Sequence, residues 1–231
     1  MTATAPILLE ARAVSKTFGQ GALATPVLHS ASLSVRAGEL TLLTGPSGSG
    51  KTTLISILAG LMRASSGSIA LCGAPISSMD EAAVARIRRE HLGFVFQTYN
   101  LFPALSAQDN VALAFKLRGE RDRHEARRKA AAALEAVGLG ARLAYRPADL
   151  SSGQKQRVAI ARALAGAPAL VIGDEVTAAL DTQNAMSVME LLRARVTPAS
   201  ATLIVTHDLR LRRFADRVFA MEDGRIREET S

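Results

Sequence analysis

"LTLLTGPSGSGKTTLISILAGL", residues 40–61, decides the fold. Five apolar or β-branched residues read as a buried strand, and the stretch from Thr53 onward sets Leu54, Ile57, Leu58 and Leu61 on one helical stripe. Between them, residues 45–53 match G-x-x-x-x-G-K-[ST] in the strand-before, helix-after setting that gives the pattern its meaning. Gly45, Gly48 and Gly50 let the backbone curl so that the N–H groups of Pro46-Ser47-Gly48-Ser49-Gly50-Lys51-Thr52-Thr53, proline excepted, face one phosphate chain. The helix N-terminus adds partial positive charge. Lys51 is placed to reach the β- and γ-phosphates of a nucleotide, and the Thr52 hydroxyl to ligate Mg²⁺.

Further apolar runs read as strands: "ILLEARAV", "GFVFQ", "ALVIGDE", "TLIVTH" and "RVFAMEDG". Strands alternating with helices predict an α/β fold with a mostly parallel central sheet covered on both faces. From residue 98 to 148 the rhythm breaks into charged, Ala-rich helical sequence, "SAQDNVALAFKL" through "RHEARRKAAAALEAVGLG". The expected layout is one domain over residues 1–231, with a core of 1–97 and 168–231 and an inserted helical subdomain over about 98–167.

"ALVIGDE" ends in two carboxylates. Asp174 at the strand end suits Mg²⁺, held through water, and Glu175 suits polarisation of an attacking water. No N-K-x-D segment, which would read guanine, occurs. A second anion-seeking feature stands apart from these: in "LSSGQKQRVAIARAL", Ser151 and Gln154 form a capping box that opens a helix. Such a glycine-bearing, hydroxyl-rich cap either serves an ordinary surface helix or grips an anion.

The bulk numbers bound the function. The 231 residues are 48% hydrophobic and 4% aromatic, enough to bury a core. One cysteine, Cys72, excludes an internal disulfide. The start "MTATAPILLEARAV" shows no signal peptide, and no apolar run approaches the roughly 18 residues that cross a bilayer. The net charge of +7 gathers in arginine runs near Arg86, Arg118 and Arg210. The second of these, from Arg118, alternates with acids and lacks the interleaved aromatics of a base-stacking surface, so the runs read as solvated helix faces and no direct nucleic-acid partner is expected.

Taken in order and spacing, residues 45–53, Gln97 in "FVFQ", "LSSGQKQR", "ALVIGDE", "AALD" and "VTHD" resemble the nucleotide-binding subunit of an ABC transporter, over essentially the whole chain. The resemblance implies a P-loop NTPase fold with an N-terminal antiparallel β portion, ATP and Mg²⁺ as ligands, and ATP hydrolysis. It implies that Phe18 stacks on adenine, that Gln97 contacts Mg²⁺ and the water, that Asp181 joins two sites, and that His207 contacts the γ-phosphate. Catalytic roles fall to Glu175, His207 and Gln97, and metal contacts to Thr52, Gln97 and Asp174. Ser151, Gly153 and Gln154 would grip the γ-phosphate held by Lys51 of a second copy in a head-to-tail dimer, which uses both phosphate-seeking features of one chain.

Within the family, "QKQRVAIARAL", "AALD" and "MEDG" look most like the DevA-type, MacB-type and lipoprotein-releasing ATPases. These power an integral membrane permease in export or lipid and lipoprotein handling, on the cytoplasmic, inner face of the membrane. The alternative is a regulatory ATPase that signals through a permease-like protein without moving a substrate. The segment "TYNLFPALSAQDN", with Tyr99, Leu101 and Phe102 expected at the surface, is the candidate coupling surface. Three residues depart from the family pattern. Ser152 takes the place of a glycine, Val176 that of the proline after the catalytic glutamate, and Gly173 sets a flexible residue before Asp174.

Overall fold

The computed structural model describes residues 5–178 and 180–229. Ala179 of the A-A-L-D segment and residues 1–4 lie outside it. The described strands form two sheets. Strands β1 (Ile7–Phe18), β2 (Thr25–Arg36) and β4 (Ser66–Leu71) form an antiparallel sheet in the order β2-β1-β4. Strands β3 (Leu40–Thr44), β5 (Leu92–Val95), β6 (Leu170–Asp174), β7 (Ala201–Thr206), β8 (Arg217–Glu222) and β9 (Arg225–Glu229) form the second, ordered β5-β6-β7-β3-β8-β9. Its pairings are parallel except β8 with β9.

The central strands are apolar throughout because both their faces are covered. Successive side chains alternate in direction. Thus Leu43, Leu170, Ile172, Leu203 and Val205 join one core with the antiparallel sheet and helix α1 (Lys51–Leu58). Leu40, Leu42, Val171 and Ile204 point the other way, onto α5 (Ser152–Leu164) and α6 (Thr182–Ala194). A third cluster joins α3 (Ala107–Leu117), α4 (Arg123–Glu135) and the far face of α5, through Val111, Ala130, Leu134, Val158 and Ala161. Helix α2 (Glu81–His91) leads into β5. Helix α5 therefore belongs to two cores at once: Ala159, Ile160 and Ala163 face the sheet, while Val158 and Ala161 face the helices.

Two sequence expectations fail here. Helix α1 ends at Leu58 and the chain turns at Gly60 (φ 65°), so Leu61 leaves the buried stripe and is 46% exposed. Tyr99 and Leu101 are half-buried against the second core, because Tyr99 and Asn100 take up left-handed backbone (φ 62° and 46°) that folds the segment inward. Of those three, only Phe102 is exposed, at 51%. No described helix is long and apolar enough to cross a membrane.

Candidate functional site

Strand β3 delivers the chain into the glycine loop. At Gly45 (φ 152°) any side chain would run into the Met221 carbonyl, so the backbone passes β8 at a distance only glycine allows. Gly50 (φ 101°) has the same constraint in milder form, since a Cβ would stand 3.0 Å from Leu28 Cδ2 and from Met221 Cε. Pro46, Ser47, Gly48 and Thr52 are exposed at the loop's mouth, and Thr53 is half-buried. Lys51 is 5% exposed and folds back on its own loop, its Nζ donating to the carbonyls of Gly45 (2.9 Å) and Pro46 (2.7 Å). Burial lowers its pKa, against the opposing charges of Glu175 and Asp174.

Beside the loop, β6 ends in Asp174, 6% exposed, with Oδ1 lacking any hydrogen-bond partner. Burial raises its pKa; the Thr52 hydroxyl opposes that, Glu175 adds to it, and Lys51 opposes it. The Ser49 hydroxyl is likewise buried and unpartnered. Buried polar atoms left unpaired are costly, and two of them converging on a phosphate-type loop fit groups that await a ligand. A hydroxyl and a carboxylate are oxygen donors suited to Mg²⁺, which keeps water and phosphate oxygens in its shell. Among the described residues no group of three His, Cys, Asp or Glu side chains gathers as a metal cage.

Glu175 occupies left-handed backbone (φ 46°), its N–H donating to Val205 O at 2.9 Å. His207 Nδ1 lies 3.1 Å from its Oε1, and Gln97 Nε2 lies 3.5 Å from its Oε2. Gln97, the last residue of the expected strand run, stands two residues beyond the end of β5 and is exposed. Thus the glycine loop, Asp174, Glu175, Gln97 and His207 share the C-terminal edge of the parallel strands, where ligands of open α/β sheets bind. Phe18 is tied to the same corner through sheet register. Lys16 pairs with Leu28, the residue that approaches Gly50, and Phe18 follows two positions on, 39% exposed with the Lys16 ammonium 5.0 Å from its ring centre.

The other candidates lie apart. Ser151 caps α5, its Oγ accepting from Gln154 N (3.3 Å) while Gln154 Oε1 accepts from Ser151 N (3.0 Å). A Cβ at Gly153 would stand 3.7 Å from Asn184 Cγ and from Leu180 Cδ2, which is ordinary contact. Asp181 caps α6 through Asn184 N at 2.9 Å, a bond that lowers its pKa. Among the described residues no hydrogen bond joins 151–154 to the glycine loop. Sequence reasoning missed Arg162, whose guanidinium on α5 donates to Tyr99 O (2.7 Å) and to Asn100 O, binding the capped helix to the segment after Gln97. Within "VAIARAL" it reads only as the polar break of an apolar face.

The family model for "ABC transporter" matches residues 28–178. The chain belongs to the ABC transporter family. It is 45% identical to the ABC transporter ATP-binding protein YbbA of Escherichia coli K12, over 96% of this chain and 97% of that one. Among solved structures, the ATP-binding cassette MJ0796, in a dimeric post-hydrolysis state bound to ADP and Pi, superposes with a TM-score of 0.90 at 34% identity, covering 96% of this chain and 98% of that one. The cassette cbiO1 of Clostridium perfringens, described as part of the ABC transporter complex cbiONQ, gives 0.82 at 29% identity, over 96% and 87%. The present chain is an ATP hydrolase of this family, the ATP-binding member of an ATP-driven transporter with a P-loop cassette fold.

Proposed function

We propose that two copies of this chain close head to tail on two ATP molecules and drive an integral membrane permease in export or in lipid and lipoprotein handling, from the inner face of the membrane. The observation that carries the pairing is the separation of two phosphate-seeking elements in one chain: the loop around Lys51, and the Ser151 cap, which among the described residues shares no hydrogen bond with that loop. The dimeric state of MJ0796 supports this reading, and the complex containing cbiO1 supports a membrane partner. The export and lipid assignment rests on the likeness of "QKQRVAIARAL" and "MEDG" to the DevA, MacB and lipoprotein-releasing type.

In the closed dimer, Lys51 and the loop amides hold the phosphates of one ATP, with Ser151, Gly153 and Gln154 of the second copy on the γ-phosphate, and Phe18 carries the adenine. Mg²⁺, held by Thr52, Asp174 and Gln97, would neutralise phosphate charge. Glu175 takes a proton from the water that attacks the γ-phosphorus as the bond to ADP breaks, and His207 fixes the Glu175 carboxylate in place. A groove of about 340 Å³ between α2, β5, α3 and α5, lined by Leu61, Phe94, Leu117 and Arg89, is the seat for the permease, together with the exposed Phe102 on the loop before α3. The pairing is tested by light scattering on Glu175→Gln with ATP and Mg²⁺. A dimer is expected; a monomer that persists beside the permease overturns the mechanism.

A further inference from the structure

Gly173 and Val176, two departures from the family pattern, flank the carboxylates, and the structure shows that they belong together. Gly173 is not a flexible joint. It lies inside β6, paired with Val95 of β5 on one side and Ile204 of β7 on the other. A Cβ at Gly173 would stand 2.5 Å from Val176 Cγ1 and 2.8 Å from Ile204 Cδ1. Val176 is 1% exposed and packs in the second core. Its side chain thus fills a notch that exists because residue 173 has none.

Between the two stands Glu175, a non-glycine residue at φ 46°, a conformation that persists only where the surroundings impose it. Its N–H is held by Val205 O and its carbonyl accepts from Ala178 N at 3.0 Å. These bonds fix the two peptide ends, and the buried Val176 side chain fixes how the chain leaves the turn. A proline at 176 would restrict that exit through its ring; here a knob in a notch does so.

We propose that Val176 is a positioning residue for Glu175, seated against Gly173 in place of a proline ring, so that the carboxylate meets His207 and Gln97. The proposal rests on Glu175 being the group that takes the proton from water. It is tested on the purified full chain by measuring kcat, KM, ATP affinity and thermal stability for Gly173→Ala, Val176→Ala, the double variant and Val176→Thr, with Glu175→Gln as reference. Displacing the base lowers kcat: Gly173→Ala is expected to lose about tenfold to a hundredfold in kcat with little change in KM or ATP affinity. Val176→Ala loses less. The double variant recovers most of what Gly173→Ala loses, because the new methyl occupies the space the valine vacates. Val176→Thr, which keeps the branched shape but buries a hydroxyl, loses stability and keeps kcat.

Single effects that multiply in the double variant, or a kcat that follows thermal stability across the series, overturn the positioning role. If Gly173→Ala does not fold, Val176→Ala against Val176→Thr decides alone: equal kcat values overturn it. A Glu175→Gln variant that hydrolyses at the wild-type rate removes the premise instead, a separate outcome.

Discussion

His207 Nδ1 lies 3.1 Å from Glu175 Oε1, although 32 positions separate the two in sequence. The cause is register. Strands β6 and β7 run parallel with Asp174 opposite Val205, so the residues just past each strand end emerge together. Strand β5 is the next neighbour of β6, and Gln97, two positions past its end, reaches the other oxygen of the same carboxylate. Three strand ends thus converge on one group.

Glu175→Gln keeps the shape of that group and its hydrogen-bonding reach but removes the base. Its hydrolysis rate is expected to fall about 10²- to 10⁴-fold, the usual worth of a general base, with ATP affinity retained. His207→Ala leaves Oε1 of Glu175 without its partner and is expected to lower kcat as well. Steady-state hydrolysis alongside equilibrium binding of ATP measures both; a Glu175→Gln rate equal to wild type would remove Glu175 from the reaction.

Ser151 has two roles to separate. As a helix cap its hydroxyl contributes about 1 kcal/mol, so Ser151→Ala is expected to lower the Tm of the nucleotide-free chain by about 2–4 °C. As a phosphate ligand across the dimer it matters further. In the Glu175→Gln background, Ser151→Ala should weaken ATP-driven dimerisation beyond what the cap loss explains, measured by light scattering against protein concentration. Unchanged dimerisation would leave Ser151 as a cap alone.

Asp174 carries a stability cost with a definite pH dependence. Its pKa is raised by burial, so the folded chain holds this proton more tightly than the unfolded one. Stability therefore falls as pH rises from the ordinary carboxylate value toward the raised one, and the whole cost is present at neutral pH. Asp174→Asn removes the charge. Without nucleotide at pH 7 its Tm is expected to rise by about 2–4 °C, equivalent to ~1 kcal/mol in a chain of this size, while hydrolysis is lost. Below the ordinary carboxylate range the two proteins should converge. A variant less stable than wild type at pH 7 would show that the carboxylate stabilises the fold.

What the sequence makes legible is what is local. Strands β3, β6 and β7 announce themselves because both faces are buried, and the glycine loop because its chemistry lies in consecutive backbone groups. The capping box of Ser151 and Gln154 is equally local, and it forms. Strand β2 is harder to see: Ala31, Leu33 and Val35 alternate inward, but Ser30 at φ 51° breaks the period from Leu28. Leu61 misleads because the helical period runs past the point where Gly60 turns the chain. The Gly173–Val176 contact crosses a turn at Glu175 that no period predicts. The meeting of Gln97, Glu175 and His207 depends on the strand order β5-β6-β7, which the sequence does not contain.

The groove between the sheet and the helical layer gives the last prediction. Leu61 and Leu117 are 46% and 60% exposed on its walls, Phe94 is half-buried, and Arg88, Arg89 and Arg118 line it too. Apolar side chains gathered in a concave site among arginines suit an amphipathic segment of a partner better than solvent. A carboxylate in place of Leu117 would have to be desolvated on docking, and pairing with the lining arginines would take them from the partner. Leu117→Asp is therefore expected to cost about 2 kcal/mol or more in assembly, roughly a 30-fold loss of affinity for the permease. ATP affinity should not change, because Leu117 lies at the end of α3 and touches none of the nucleotide-site residues described above. Phe102→Ala, on the exposed loop before α3, should weaken assembly in the same sense, and the two together more than either alone. Co-purification from solubilised membranes, with ATP binding measured in parallel, checks both; a Leu117→Asp chain that still carries its permease through purification would place the docking surface elsewhere.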